Sequence, residues 1–222
     1  MVLKELKQNN GVIVLVALTL IPLFLWIDMQ PLGSRFVSAT QGLKSVSQVS
    51  ALIGTVLFAF TFILLAGEKT LGHFFTDKAA LLRTQRVTKT VSLLLLLAHP
   101  IVLALLLLPE GAAQTVQFLL PQGDWVFNFG IYALVLFMAL YAIEFLAKQT
   151  SSLRHVLPTM SAILFLGTLH AFFIPSDLSR NPLLKSYVLS IVAVAFLMYG
   201  HHLFALKRSK NTSSVATQQG TL

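Results

Sequence analysis

The chain has 222 residues, of which 56% are hydrophobic and only 11% are charged, a balance that excludes an ordinary soluble domain. It contains no cysteine, so disulfides, thiolate nucleophiles, iron–sulfur clusters and cysteine zinc sites are excluded. The formal net charge of +8 would suit a nucleic-acid binder, but the basic residues stand between apolar runs, where membrane topology accounts for them. The composition therefore predicts a polytopic helical membrane protein.

Six apolar runs follow one another along the chain, each of about 17–23 residues, which is long enough for a helix to cross the hydrocarbon core of a bilayer. Lys4 and Lys7 precede the first run as in a signal peptide, but no small-residue cleavage site follows, which favours an uncleaved first helix. We expect an all-α bundle of six transmembrane helices. Their expected bounds are Gly11–Ile27, Val49–Ala66, Thr90–Leu108, Trp125–Leu146, Pro158–Ile174 and Leu184–Leu206.

The basic residues are distributed unevenly between the two sides of this bundle. With the N-terminus in the cytoplasm, the outer side holds only four of the 16, namely Arg35, Lys44, Arg180 and Lys185. The excess on the other side predicts that both termini are cytoplasmic. We expect one transmembrane domain over residues 1–206. Residues 207–222 are polar and lack apolar periodicity, which predicts a disordered cytoplasmic tail.

Two histidines lie inside apolar runs, His99 in the third and His170 in the fifth. An intramembrane histidine is costly unless something binds it, so such a residue indicates a functional site. His99 lies about 15 Å beyond Lys89 and His170 about 24 Å beyond Arg154 along their helices, which puts both in the middle or outer half of the bilayer. The pair predicts an iron porphyrin held between two helices, with one imidazole on each axial face.

Simpler roles for the histidines remain open at this point. His99 would also be satisfied by a hydrogen bond to a neighbouring helix, and Pro100 after it would loosen the preceding turn in either case. His73 lies in a polar segment on the cytoplasmic side, which is typical of a solvated residue. His201 and His202 near the inner end of the sixth helix suit an interfacial anchor, a lipid phosphate or a porphyrin propionate.

Residues 85–89, Gln-Arg-Val-Thr-Lys, followed by His99, resemble the third helix of the ferric reductase-like transmembrane domain. That superfamily includes NADPH oxidases, ferric reductases and the haem-binding subunit of a bacterial methionine sulfoxide reductase. The family carries two histidines fourteen residues apart in its third helix and two thirteen apart in its fifth. Here His99 and His170 match the later member of each pair, whereas Gln85 and Leu157 stand at the earlier positions.

The resemblance implies that the ligand pair of the outer haem is kept and that of the inner haem is lost. We therefore expect one haem b, with His99 and His170 as the axial ligands of its iron. His155 is an alternative inner ligand, but it lies two residues from Leu157, about 200° around the helix. In relatives with one haem a flavin can occupy the inner region, so FMN or FAD at the cytoplasmic face is a further expectation.

A haem with both axial positions filled by protein suits electron transfer better than oxygen binding. The sequence contains no nucleotide-binding motif, so electrons would come from another molecule. We expect a b-type cytochrome, the electron-transfer subunit of an oxidoreductase, fed by a cytoplasmic flavoprotein or a quinol and serving an outer-face acceptor. The alternative is a scaffold, assembly or transport subunit that kept the fold and lost the haem. The topology favours a bacterial cytoplasmic membrane.

Overall fold

The computed structural model of this protein describes residues 2–146 and 153–219. These residues form α-helices and two short 3-10 helices, Gly72–Phe74 and Leu108–Glu110, and they contain no strand. In chain order the α-helices are α1 (Val2–Asp28), α2 (Leu32–Arg35), α3 (Ala39–Ala66), α4 (Glu68–Leu71), α5 (Lys78–Leu107), α6 (Ala112–Phe118), α7 (Trp125–Leu146), α8 (Leu153–Phe173), α9 (Asp177–Arg180) and α10 (Pro182–Gln219).

Six of these helices are long and apolar enough to cross a membrane, which confirms the predicted all-α bundle of six spans. The chain is by this measure a multi-pass membrane protein. The spans are Asn10–Asp28, Ala39–Ala66, Lys78–Glu110, Trp125–Ile143, Val156–Phe173 and Pro182–Lys207.

Two helices begin well before the apolar runs that predicted them, because polar side chains cap their first turns. In α3 the Ser38 hydroxyl accepts a hydrogen bond from the Gln41 N–H, ten or so residues before the expected start at Val49. In α5 an Asp77 carboxylate oxygen lies 2.7 Å from the Ala80 nitrogen and accepts its N–H. A cap satisfies N–H groups that a helix start leaves free. The apolar run therefore determines which residues can cross the membrane, whereas the cap determines the residue at which the helix begins.

The last helix also differs from its predicted extent. The backbone of α10 is helical as far as Gln219, whereas the sequence predicts a disordered tail over residues 207–222. Extending an existing helix is far easier than nucleating a new one, so a polar segment can continue the helix that precedes it. The side chains beyond Lys207 are outside the described residues.

The centre of the bundle is α3. In its apolar span 67% of the residues are buried, against 11–28% in the other five spans. The other helices turn large apolar side chains outward, for example Phe24, Leu94 and Leu197, each more than 60% exposed. Outward-facing apolar surface of this extent suits contact with lipid rather than water.

Helices α3 and α5 pack closely along their length. Gly54 allows the approach, because a Cβ atom there would lie 2.9 Å from the Leu96 Cγ. Small residues at such contacts let hydrogen bonds form between helices within a membrane. The bonded pairs run antiparallel and join Ser47 to His99, the Gly54 carbonyl to Ser92, Thr61 to Thr88, and the Leu64 carbonyl to Gln85.

Two ends of the bundle can be distinguished by their connecting elements. At the α2/α9 end, the buried Arg35 guanidinium pairs with Asp177 at 2.9 Å and so ties α2 to α9. At the opposite end lies the 3-10 helix Gly72–Phe74, and Phe75 beside it packs against Gly11 near the start of α1. We call this opposite end the 3-10 end, after the 3-10 helix Gly72–Phe74.

Candidate functional site

A cavity of about 630 Å³ lies between the α3–α5 pair and the α7–α8 pair. Each pair packs tightly within itself, but α5 and α7 contact each other little, which leaves space between the pairs. Phe58 and Phe137 bridge the pairs towards the 3-10 end, with ring centroids 4.6 Å apart. Ile101 on α5 and Val135 on α7 line the cavity yet are each at least half exposed, so it opens sideways between these helices.

His99 lies on the lining of this cavity and is held from behind by α3. Its Nδ1 atom lies 2.7 Å from the Ser47 hydroxyl and 3.1 Å from the Ser47 carbonyl oxygen. The Ser47 hydroxyl is also 3.1 Å from the His99 carbonyl oxygen, to which it donates. A carbonyl only accepts, so these contacts place the ring proton on Nδ1 and leave the lone pair on Nε2.

His170 lies on the same lining and has a similar arrangement. Its Nδ1 lies 2.9 Å from the Val126 carbonyl oxygen on α7, so Nδ1 donates and Nε2 again carries the lone pair. No described residue forms a hydrogen bond with the Nε2 atom of either histidine. The structure thus brings both predicted histidines to one cavity, each with the same tautomer.

Two glycines shape the cavity around His170. Gly130 on α7 packs directly against the ring, since a Cβ there would lie 2.7 Å from both Cε1 and Nδ1. Gly167 lies one turn before His170 on α8 and also lines the cavity, but a Cβ there would meet nothing within 4 Å. Gly130 therefore positions the imidazole, whereas Gly167 keeps the space beside it open.

We expect Gly130→Ala to displace the His170 ring and to lower stability by about 1–3 kcal/mol through overpacking. Part of this loss is offset, because alanine forms helix better than glycine by about 1 kcal/mol. Gly200→Ala in α10 is the matched control, since a Cβ there would meet nothing within 4 Å, unlike one at Gly130. Thermal unfolding in detergent should give a lower Tm for the Gly130 variant than for the Gly200 variant. Equal Tm values would show that the ring moves freely.

The residues at the predicted inner-haem positions are packed into the protein core. Gln85 is buried, and its side-chain amide donates to the Leu64 carbonyl oxygen at 2.9 Å. Leu157 on α8 is fully buried. Both positions are therefore filled by side chains that pack α5 and α8 against the rest of the bundle.

Of the other histidines, His73, His201 and His202 do not line this cavity. His73 is exposed in the 3-10 helix Gly72–Phe74, where its ring stacks near Phe74. His201 and His202 lie on α10 towards the 3-10 end of the bundle. His201 is exposed and His202 is half-buried. The side chain of His155, the alternative inner ligand, lies outside the described residues.

Sequence reasoning missed the groups that orient the two imidazoles. Ser47 does not stand out by residue type, because serine is common in the polar first half of α3, and only its place in a seven-residue spacing with Gly54 and Thr61 could have indicated it. The Val126 carbonyl is a backbone group that any residue type would supply. The two glycines could have been singled out as small residues in apolar helices, but only the packing shows which one touches a ring and which one leaves space.

Within residues 2–146 and 153–219, no three histidine, aspartate or glutamate side chains cluster as they would to hold a bare metal ion. No family model matches the chain, and no curated protein is significantly similar to it. The two histidines and the cavity between their helices are therefore the features from which a function can be inferred.

Proposed function

We propose that this chain is a membrane b-type cytochrome that binds one haem b in the cavity, with His99 and His170 as axial ligands of the iron. One observation carries the proposal: two histidines from different helices line one cavity, and each has its Nδ1 bound to an oxygen acceptor. Metal-bound histidines usually donate their other ring N–H in this way, because that bond fixes the tautomer and raises the basicity of the free nitrogen.

The cavity also suits the size and polarity of a porphyrin. A volume of about 630 Å³ falls in the range of roughly 300–1,000 Å³ that is typical of small-molecule sites. Its lining is mostly apolar, and Gly167 leaves room that a side chain would fill. A third protein ligand is not needed, because the porphyrin nitrogens supply the in-plane ligands of the iron.

When bound, the haem would supply a one-electron carrier. The chain's own residues would define its chemistry. His99 and His170 would fill both axial positions and so exclude oxygen and other small ligands. Ser47 and the Val126 carbonyl would hold the two rings in their orientation, and the apolar lining would keep water away from the site.

We assign the chain to the ferric reductase-like transmembrane superfamily as a relative with one haem. In this assignment both termini are cytoplasmic, in a bacterial cytoplasmic membrane, and the α2/α9 end faces outward. The packed side chains of Gln85 and Leu157 support a single haem.

Electrons would come from a separate flavoprotein, with FMN or FAD at the cytoplasmic face, or from a quinol. The exposed Arg83 and Arg86 favour an acidic protein partner, whereas the opening between α5 and α7 favours a lipid-soluble donor.

The direct test is the haem content of the chain after expression with haem supplied. We expect about one haem per chain by the pyridine haemochrome assay, with a b-type reduced-minus-oxidised difference spectrum. A purified, folded chain with no haem and no shift of the Soret band would overturn the proposal.

The second candidate is a scaffold, assembly or transport subunit without haem. It is favoured by one observation, that His99 takes part in the series of hydrogen bonds between α3 and α5 and therefore has a structural partner. In that case His99 would stabilise the bundle whether or not a ligand is present. Added haem would leave the Tm unchanged, whereas a ligand that binds only the folded chain raises it.

Ser47→Ala should weaken haem binding about tenfold, the lower part of the usual range for removing a hydrogen bond behind a metal ligand. We expect a loss of affinity no larger than this because the Ser47 carbonyl still accepts a hydrogen bond from His99 Nδ1. Ser50→Ala is the control, since Ser50 is also buried on α3 but, unlike Ser47, forms no described hydrogen bond with His99. Haem titration in detergent measures both. Equal affinities of the two variants would contradict a role for Ser47 in orienting the ring.

A further inference from the structure

The cavity has polar groups in a definite place. Its lining towards the 3-10 end is apolar and includes Phe58, Phe137 and Met138. Apart from the two histidines and Thr55, the polar side chains lie towards the α2/α9 end and belong to Trp26, Gln48, Ser176 and Asp177. A ligand with one polar edge and one apolar edge would therefore enter in one orientation.

Two N–H donors among these groups have no acceptor within the described residues. Trp26 is buried, and its indole Nε1 has no hydrogen-bond partner. Gln48 lies half-buried in a membrane span, and none of the hydrogen bonds described for the chain involves its side-chain amide. Side chains on a helix tilt towards its N-terminus, so the Gln48 amide reaches from α3 towards the α2/α9 end, where Trp26 lies. Buried polar groups normally find partners, so the unpaired indole nitrogen of Trp26 indicates a ligand that supplies the acceptor, and the half-buried Gln48 amide offers a second donor on the same lining.

The carboxylate on the described lining of the cavity is already paired. The Asp177 carboxylate on the lining is neutralised by Arg35 at 2.9 Å. The Arg35 guanidinium also donates to the Trp26 carbonyl and lies 3.7 Å above the indole ring, so it fixes Trp26 in place. An anionic group of a ligand would meet two neutral donors, and the one carboxylate on the described lining is paired with Arg35.

On this basis, and resting on the proposed haem site, we propose that Trp26 and Gln48 form a subsite for the carboxylates of the porphyrin. The porphyrin would then lie with its propionate edge towards the α2/α9 end and its apolar edge towards Phe58 and Phe137. The indole N–H and the amide N–H would each donate to a carboxylate oxygen, and such charge-assisted hydrogen bonds are among the stronger ones.

The test compares two porphyrins that differ only at the carboxylates. The haem-free chain in detergent is titrated with iron protoporphyrin IX and with its dimethyl ester, and the ratio of the two dissociation constants is measured. We expect the unsubstituted chain to prefer the free acid by about tenfold or more, the fold-change typical of a hydrogen bond to a charged group. Gln48→Leu and Trp26→Phe should each reduce this preference while the affinity for the ester stays nearly unchanged.

Gln48→Glu gives a sharper variant, because its carboxylate should repel the free acid and leave the ester unaffected. Gln41→Leu is the control, since Gln41 is exposed near the start of the same helix and does not line the cavity. An unchanged ratio in the Gln48 and Trp26 variants, with haem still bound, would overturn the subsite alone. Binding of neither porphyrin by the unsubstituted chain would overturn the proposed function and the subsite together.

Discussion

Replacing either His99 or His170 with alanine is expected to abolish haem retention by this chain. Each residue would supply one of the two protein bonds to the iron, and the rest of the described lining is largely apolar and contains no third histidine. The neighbouring groups, Ser47 and the Val126 carbonyl, would be left facing an empty space rather than a ring. Haem content after purification, measured per chain, gives the result directly.

His73→Ala and His201→Ala are the controls for these two variants, because both residues are exposed and away from the cavity. They should keep the full haem content. Free imidazole added to the His99→Ala or His170→Ala chain should restore haem binding, since a small ligand can enter the space left by the ring. A purified variant that retains all its haem without added imidazole would show that the histidine concerned is not a ligand.

Gly167→Leu is expected to prevent haem binding while the chain remains folded. The glycine lines the cavity one turn from His170, and a Cβ there meets no other atom within 4 Å, so a leucine side chain can occupy the open space without a clash. The stability of the haem-free chain should stay the same or rise by about 1 kcal/mol, because leucine is a better helix former than glycine. A haem titration and a thermal melt of the same sample separate the two effects.

Gly200→Leu in α10 is the matched control, since it also replaces a helical glycine whose Cβ would meet nothing, at an exposed position away from the cavity. It should bind haem as the unsubstituted chain does. If the Gly167→Leu chain bound haem with unchanged affinity, the cavity between the two helix pairs would not be the haem site.

The general architecture could be predicted from the sequence because a membrane imposes it. Spans of suitable length and few charges predict transmembrane helices, and the structure has them. The two intramembrane histidines could be singled out for the same reason, since polar residues are rare in apolar runs. The helix starts at Ser38 and Asp77 were harder to locate, because they depend on caps in polar segments rather than on apolar length.

The details of the site could not be predicted because they depend on how helices pack. That His99 and His170 line one cavity follows from the closeness of α3 to α5 and of α7 to α8, with little contact between α5 and α7. Whether a ring nitrogen is free follows from the partner of the other nitrogen, which is a serine in one case and a backbone carbonyl in the other.

One signal in the sequence could have indicated the α3–α5 contact. Small or polar residues recur every seven positions in both helices, as Ser47, Gly54 and Thr61 in α3 and as Gln85, Ser92 and His99 in α5. Seven residues are about two helical turns, so each set lies on one face. These are the faces that the hydrogen bonds join. The same pattern explains why glutamine can stand at position 85, where it bonds to the Leu64 carbonyl.

Near-infrared magnetic circular dichroism of the oxidised, haem-loaded chain tests the central claim most directly, because this signal reports the identity of both axial ligands of a low-spin haem. The proposed site predicts the charge-transfer band of a bis-imidazole haem, which is lost when His99 or His170 is replaced by alanine. A high-spin iron, or a band from any other ligand pair, would show that the two imidazoles do not bind one iron.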